Sequence, residues 1–321
     1  MNKIMLVLLF SSLAFALPAE AGKKRSAKPV ASKTYKQAKT AKKPRRAVSA
    51  SVVHKARAAR VIADVRDDPT HLDVKSTSAL VIEQGQGRLL FAKNIDAVVP
   101  IASITKLMTA MVVLDARLDL KEGIAITDDD VDMLKHTRSR LRIGTVLERD
   151  ELLRLALMAS ENRAAAALGR AYPGGMHAFV TAMNQKAFEL GMAQTRFVDS
   201  TGLSSDNVST AQDLAKMVVA AHRYPLIQEY TTLTGYVVHT NAGRPLAFSN
   251  SNGLVKDSTW HIDVSKTGYI SEAGRCLVMQ ARIAAKPVII VLLDSWGRYT
   301  RIGDANRIKR WMEAALPLSP G

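Results

Sequence analysis

The period of hydrophobic and polar positions changes twice along the chain. Leu80-Val81-Ile82 and Leu89-Leu90-Phe91 are short apolar runs on either side of Gly85-Gln86-Gly87, a pattern that predicts a β-hairpin from Leu80 to Lys93. From Ser103 to His222 the pattern is mostly helical. Ile104, Leu107, Met108, Met111, Val112 and Leu114 repeat at helical spacing, Glu151 to Met158 reads as an apolar helix, and Arg163 to Ala171 as an alanine-rich one. Period two returns late, in strand candidates at Ile262 to Tyr269, Arg275 to Ile283 and Val288 to Asp294, before a last helix from Ile302 to Leu316 with Trp311 expected to be buried. Strands at both ends with helices between predict an α+β fold. Its form is one antiparallel sheet flanked by helices, with a helical subdomain and a cleft between them.

Three short strings fall at the joints of these elements: Ser103-Ile104-Thr105-Lys106, Ser160-Glu161-Asn162 and Lys266-Thr267-Gly268. Ser103 opens the first helix. A serine hydroxyl needs a base to attack at neutral pH, and a lysine three positions along a helix lies on the same face, one turn away. The helix N-terminus favours an oxyanion there and helps depress the lysine pKa, so Lys106 is the candidate general base for Ser103. Ser160 and Asn162 lie where two helices meet. Ser160 can relay a proton toward a departing amine, and the Asn162 amide can donate to Lys106 and to a substrate carbonyl. Lys266 to Gly268 ends the alternating segment His261 to Ser265. There Lys266 would add positive charge beside Ser160 or a substrate carboxylate, Thr267 would hydrogen-bond that carboxylate, and Gly268 would let a substrate backbone approach. Each string alone is also readable as a helix cap or a surface turn.

In order and context the three strings resemble the S-x-x-K, S-x-N and K-T-G set of the penicillin-recognising serine enzymes. The chain is similar, from about Ser76 to about Trp311, to low-molecular-mass penicillin-binding proteins of the D-alanyl-D-alanine peptidase family. Ile101 to Ala110 resembles the family's nucleophile helix, and so do Asp199-Ser200-Thr201-Gly202-Leu203 and Ser209 to Ala215, which are expected to be a supporting turn and a capped helix. The resemblance implies an acyl-enzyme on Ser103, an oxyanion hole from the backbone N–H groups of Ser103 and Tyr269, acylation by β-lactams, and peptidoglycan stem peptides as substrate. Ser160-Glu161-Asn162-Arg163 stands where the carboxypeptidase branch has Ser-Gly-Asn followed by an acid, and it is similar to the endopeptidase branch, which cuts D-alanyl to diaminopimelyl cross-bridges. Endopeptidase is therefore expected first, and carboxypeptidase, removing a terminal D-alanine, is the alternative.

The N-terminus is different material. Residues 1–21, with Lys3, an apolar run from Ile4 to Leu17 and Ala19-Glu20-Ala21, read as a secretory signal cleaved after Ala21, which predicts export to a bacterial periplasm. Residues 22–61 carry 14 basic side chains and no acid, and are expected to be a disordered linker. Of the 45 basic and 29 acidic residues, 15 and 1 precede residue 61, which leaves 30 against 28 for the remainder. Of the net charge of +16, the segment before residue 61 therefore carries +14 (15 − 1) and the remainder +2 (30 − 28). A nucleic-acid binder is expected to carry its charge on a folded groove, so nucleic acid is not predicted as a partner. Weak contact of the tail with anionic envelope polymers is one reading, and a linker with no partner the other. Residues 62–321 form the predicted catalytic domain. The chain ends at Leu316 to Gly321 without an anchor helix, and a soluble enzyme is expected after signal cleavage.

Other chemistries find little support. A single cysteine, Cys276, forms no internal disulfide and reads as a buried strand residue, and the seven histidines lack metal-ligand spacing, so no metal and no cofactor are expected. His261 is expected to be a structural histidine. There is no G-x-S-x-G elbow, and the deacylating E-x-x-L-N string of class A β-lactamases is absent between Asn162 and Lys266. A serine β-lactamase and a non-catalytic wall-binding module are thus the less favoured readings.

Overall fold

The computed structural model describes residues 72–315, apart from residues 86, 241 and 242. The expected signal segment, the whole of the basic segment 22–61 and the start of the predicted catalytic domain at residue 62 lie outside the described residues.

A five-stranded antiparallel sheet forms the frame. Strands β1 (Ser78–Glu83) and β2 (Arg88–Lys93) make the expected hairpin, and β9 (His261–Ile270), β10 (Gly274–Ile283) and β11 (Lys286–Ser295) make the late meander. The order is β2-β1-β11-β10-β9, so the first hairpin docks against the last strand of the meander and β9 is left at an edge. The register is fixed by Ala79 opposite Leu292, Val278 opposite Val291, and Lys266 opposite Val278.

The central strands read as continuous apolar runs because both faces are covered. Val288, Ile290 and Leu292 point into one cluster with Leu277, Met279 and Ala281, closed by Ala305, Ile308 and Met312 of the C-terminal helix α7 (Thr300–Ala315). Ile289, Val291 and Leu293 point the other way, into the larger cluster with Leu214 and Val218 of α5 (Ala211–Ala221). Trp311 is half-buried at the border of the first cluster, not buried as expected, because the helix turns Met312 inward instead.

Between β2 and β9 lies the helical region. Its centre is α1 (Thr105–Asp115), where Thr105 to Val113 are all buried. A helix enclosed on every side must bury its polar positions too, and this one carries Lys106 inside. Helix α2 (Arg149–Arg154) runs into a single π-helical turn, Leu155–Ala159, and α3 (Asn162–Arg170) follows. Its alanines are small enough to sit fully inside the core. Helices α4 (Gly175–Glu189) and α6 (Pro225–Thr232) complete the subdomain. Thr210 caps α5 as expected, accepting from the Asp213 N–H at 3.1 Å.

Three short antiparallel pairs interrupt this region and were not expected: β3 (Val99–Pro100) with β6 (Val208–Ser209), β4 (Gly123–Ala125) with β5 (Val146–Glu148), and β7 (Gly235–Val238) with β8 (Leu246–Ser249). Segments of two to four residues are too short for a period to show.

Candidate active site

The nucleophile sits on a constrained corner. Ala102 has φ 48°, a left-handed conformation unusual for a residue with a Cβ, and starts the 3-10 turn Ala102–Ile104 that leads into α1. Neighbours hold the corner from both sides. Thr105 Oγ1 donates to the Ala102 carbonyl at 2.8 Å, Asn207 Nδ2 donates to Thr105 Oγ1 at 3.1 Å, and the Ile101 N–H donates to the Asn207 carbonyl at 3.0 Å. Ser103 is thereby presented half-exposed while the residues on either side of it are buried.

Lys106 meets it as the spacing predicts. Its Nζ is 2.7 Å from Ser103 Oγ, 2.7 Å from Asn162 Oδ1 and 2.6 Å from the Thr201 carbonyl. The side chain is wholly buried, and burial pushes its pKa down to about 7 against the opposing pull of Asp199 and Glu161. A neutral amine has two N–H groups and one lone pair. Asn162 Oδ1 and the Thr201 carbonyl accept the two N–H groups, which leaves the lone pair for the Ser103 hydroxyl proton.

The π-helical turn aims the second string. It widens the end of α2, and Ser160 leaves it at φ 60°, ψ 33°, while Glu161 caps α3 by accepting from the Arg163 N–H at 3.3 Å. Asn162 departs from its expected role. Its Oδ1 accepts from Lys106, so it does not donate there, and its Nδ2 donates to Thr137 Oγ1 at 3.1 Å. An amine with protons to place requires an acceptor.

The third string runs along β9 at the sheet edge. Lys266 Nζ donates to Ser160 Oγ at 2.8 Å and to the Thr267 carbonyl at 3.0 Å. It is buried too, and desolvation, then the nearby charges of Lys106 and Arg301, press its pKa well below the usual lysine range. Thr267 Oγ1 donates to Ser251 Oγ at 2.7 Å. Gly268 passes so close to the corner that a Cβ would lie 2.9 Å from the Ile101 carbonyl and 3.2 Å from the Ser103 nitrogen. Strand β9 therefore passes next to the nucleophile at Gly268. The Tyr269 side chain points to solvent, with the Arg275 guanidinium 4.4 Å from its ring centre.

Hydrogen bonds thus join Ser103, Lys106 and Asn162 in one group and Ser160 and Lys266 in another, and Gly268 packs against the Ser103 backbone. Two participants were missed. Asp199-Ser200-Thr201-Gly202, read from sequence as a supporting turn, lends the Thr201 carbonyl to Lys106 directly. Asp199 organises the turn by accepting from the Thr201, Gly202 and Ser204 N–H groups. The signal was the Asp-x-x-Gly turn pattern, but a backbone carbonyl has no sequence signature. Arg301, near the start of α7, is the other, with Nη1 donating at 3.4 Å to the Gly268 carbonyl. His261 is exposed and Cys276 is buried in β10, where burial pushes its thiol up to about 11; neither touches the catalytic groups. For His261 this corrects the expectation of a structural histidine, because the start of an edge strand is open to water.

The arrangement fits a lysine-activated serine acyl-transferase: a serine at a helix start with a buried lysine amine 2.7 Å from its hydroxyl, and a second serine–lysine pair, hydrogen-bonded at 2.8 Å. Among the described residues no three histidine, cysteine or acidic side chains gather to hold a metal, and no helix is long and apolar enough to cross a membrane. The sequence profile of the D-alanyl-D-alanine carboxypeptidase family matches residues 64–297, and the chain belongs to that family. It is 49% identical over 246 residues, 76% of this chain and 79% of the other, to a D-alanyl-D-alanine endopeptidase of Pseudomonas aeruginosa. It is 47% identical over 242 residues, 75% and 78% of the two chains, to one of Escherichia coli. Among solved structures, the DD-transpeptidase of a Streptomyces strain superposes with a TM-score of 0.69 at 27% identity, covering 74% of this chain and 97% of that one. The chain is a serine DD-peptidase acting on peptidoglycan.

Proposed function

We propose that this enzyme is an endopeptidase that cuts D-alanyl cross-links between peptidoglycan stems through an acyl-enzyme on Ser103. Lys106 takes the Ser103 proton, and Oγ attacks the D-alanyl carbonyl. The backbone N–H groups of Ser103 and Tyr269 receive the oxyanion, and Ser160, hydrogen-bonded to Lys266, passes a proton to the departing amine as the C–N bond breaks. Water then hydrolyses the ester and frees Ser103. A β-lactam opened by Ser103 follows the same first half and stays as a slow-clearing adduct.

The observation that carries the mechanism is the pair of contacts at 2.7 Å and 2.8 Å, Lys106 to Ser103 and Lys266 to Ser160, each from a buried lysine. Endopeptidase is preferred because the relatives at 49% and 47% identity bear that name and because the second motif reads Ser160-Glu161-Asn162-Arg163. Carboxypeptidase is the second reading, favoured by the family's own description. Residues 1–21 are proposed as a signal removed after Ala21, residues 22–61 as a basic linker in weak contact with anionic envelope polymers, and the periplasm as the working compartment.

The test is product analysis by mass spectrometry of cross-linked muropeptides incubated with the mature protein, beside Ser103→Ala. Serine-dependent conversion of dimers to monomers is the expected result. Release of free D-alanine from pentapeptides, with dimers intact, would move the enzyme to the carboxypeptidase reading.

A further inference from the structure

Outside the catalytic cluster, one feature joins charge, cavity and connection to the site. The segment Thr137-Arg138-Ser139-Arg140-Leu141-Arg142 alternates, with Leu141 fully buried and the three arginines at the surface. Two consecutive residues of the second motif hold it. Asn162 Nδ2 donates to Thr137 Oγ1 at 3.1 Å, and Arg163 Nη1 donates to the Leu141 carbonyl at 2.7 Å. The hairpin β7–β8 closes over it from the other side, because Arg140 donates to the Ala247 carbonyl at 2.7 Å and lies 4.0 Å from the centre of the Phe248 ring.

Arg140, Arg142 and Arg244, with Thr145, Thr240 and Leu246, line a pocket of about 230 Å³ between the segment and the hairpin. No acidic side chain lines it. Arg140 is committed to the hairpin, whereas Arg142 and Arg244 form no ion pair among the described residues, and both are exposed. The chain beyond residue 60 is nearly neutral, with 30 basic residues against 28 acidic, so three arginines lining one pocket are a local concentration of charge. Packing like charges together opposes folding unless a counter-charge arrives. The planar fork of a guanidinium matches a carboxylate in two parallel hydrogen bonds.

We propose that this pocket is a carboxylate subsite for the cross-linked stem peptide, with Arg142 and Arg244 gripping a free carboxylate of the peptide whose scissile bond lies at Ser103. The inference rests on the peptidase reading above. Arg163 is then a positioning residue, fixing the arginine segment to the helix that begins with Asn162. Of the two residues that mark this form of the second motif, Glu161 caps α3 and Arg163 ties the arginine segment to it through the Leu141 carbonyl. A small antibiotic that reacts at Ser103 has no need of it, whereas a branched, carboxylate-bearing peptide gains a second hold and a defined register.

The experiment compares wild type, Arg142→Gln, Arg244→Gln and the double variant on a cross-linked muropeptide dimer and on the same dimer with its free carboxylates amidated. Thermal melting reports folding, and benzylpenicillin adduct formation reports the catalytic serine. Two exposed charge pairs lost together are worth about a fivefold rise in KM for the double variant. The expected result is that rise on the native dimer, with kcat nearly unchanged, weaker salt dependence than wild type, and no difference between variants on the amidated dimer. An unchanged KM on the native dimer, or an equal loss on the amidated one, overturns the subsite. A wild type that forms no penicillin adduct and cleaves neither dimer would instead sink the peptidase reading itself.

Discussion

Lys106 Nζ lies 2.7 Å from Ser103 Oγ inside a core where the lysine has no solvent exposure. The base works only unprotonated, and burial sets its pKa at about 7. The rate of Ser103 acylation by a penicillin is therefore expected to fall about tenfold per pH unit well below pH 7 and to level off above it. Asp199 raises the Lys106 pKa by its negative charge, so Asp199→Asn should move this limb to lower pH. A limb that stays in place in Asp199→Asn, or a flat profile through pH 6 in wild type, would show that another group is the base. Stopped-flow acylation across pH 5 to 9 is the measurement.

The same buried lysine links stability to pH. Its folded pKa, about 7, is below the ordinary 10.5, so between those values the unfolded chain binds more protons at this position than the folded one. Raising the pH through that window should stabilise the fold by about 1.4 kcal/mol per unit from this group, and below pH 7 the contribution to the slope vanishes. Other groups titrate too, so the comparison is with Lys106→Met. Urea unfolding from pH 6 to 10 should show wild type gaining on Lys106→Met as pH rises above 7. Parallel curves would mean the lysine is charged when folded.

Across the cleft, Ser160 gives Lys266 one of its two acceptors. Ser160→Ala removes the relay without removing bulk, and is expected to lower kcat on muropeptides by about 10² to 10⁴. Melting should shift little, because a half-buried hydroxyl is lost and the Thr267 carbonyl still accepts from the lysine. A kcat within twofold of wild type would exclude Ser160 from proton transfer.

Much of this was legible in the sequence, for identifiable reasons. The strands β9, β10 and β11 are ten residues each and apolar enough that period two or continuity shows, and α1 announces itself through six apolar positions at helical spacing. The catalytic serine and lysine were legible because both lie on one helical turn, so spacing along the chain fixed distance in space. Lys266 and Ser160, 106 residues apart, meet only because β9 is the sheet edge beside the helical region, which no local pattern encodes. The Thr201 carbonyl and the direction of the Asn162 amide were invisible for another reason. Both depend on where a proton donor ends up, and Lys106 needed acceptors that the sequence reading supplied as donors. The small pairs β3–β6, β4–β5 and β7–β8 carry too few residues to declare a period, yet β7–β8 supplies one wall of the arginine pocket.

Two glycines hold the strand and the turn against the nucleophile, and their replacement separates crowding from chemistry. A Cβ at Gly268 would lie 2.9 Å from the Ile101 carbonyl and 3.1 Å from the Ala102 Cβ, contacts with a corner that cannot yield without moving Ser103. Gly268→Ala should cost about 1–3 kcal/mol of stability as an overpacking change, and should slow acylation as β9 shifts away from the serine. Gly202 is placed more severely. Its φ is 78°, and a Cβ would fall 1.9 Å from the Ala102 carbonyl, so Gly202→Ala adds strain to an outright clash and is expected to lose more stability than Gly268→Ala. Gly253, with no atom within 4 Å of a built Cβ, is the control, and Gly253→Ala should change stability by no more than about 0.5 kcal/mol. Urea unfolding and penicillin acylation on the three variants decide the matter. Should Gly268→Ala acylate as fast as wild type, the close passage of β9 would have no part in presenting Ser103 to its substrate.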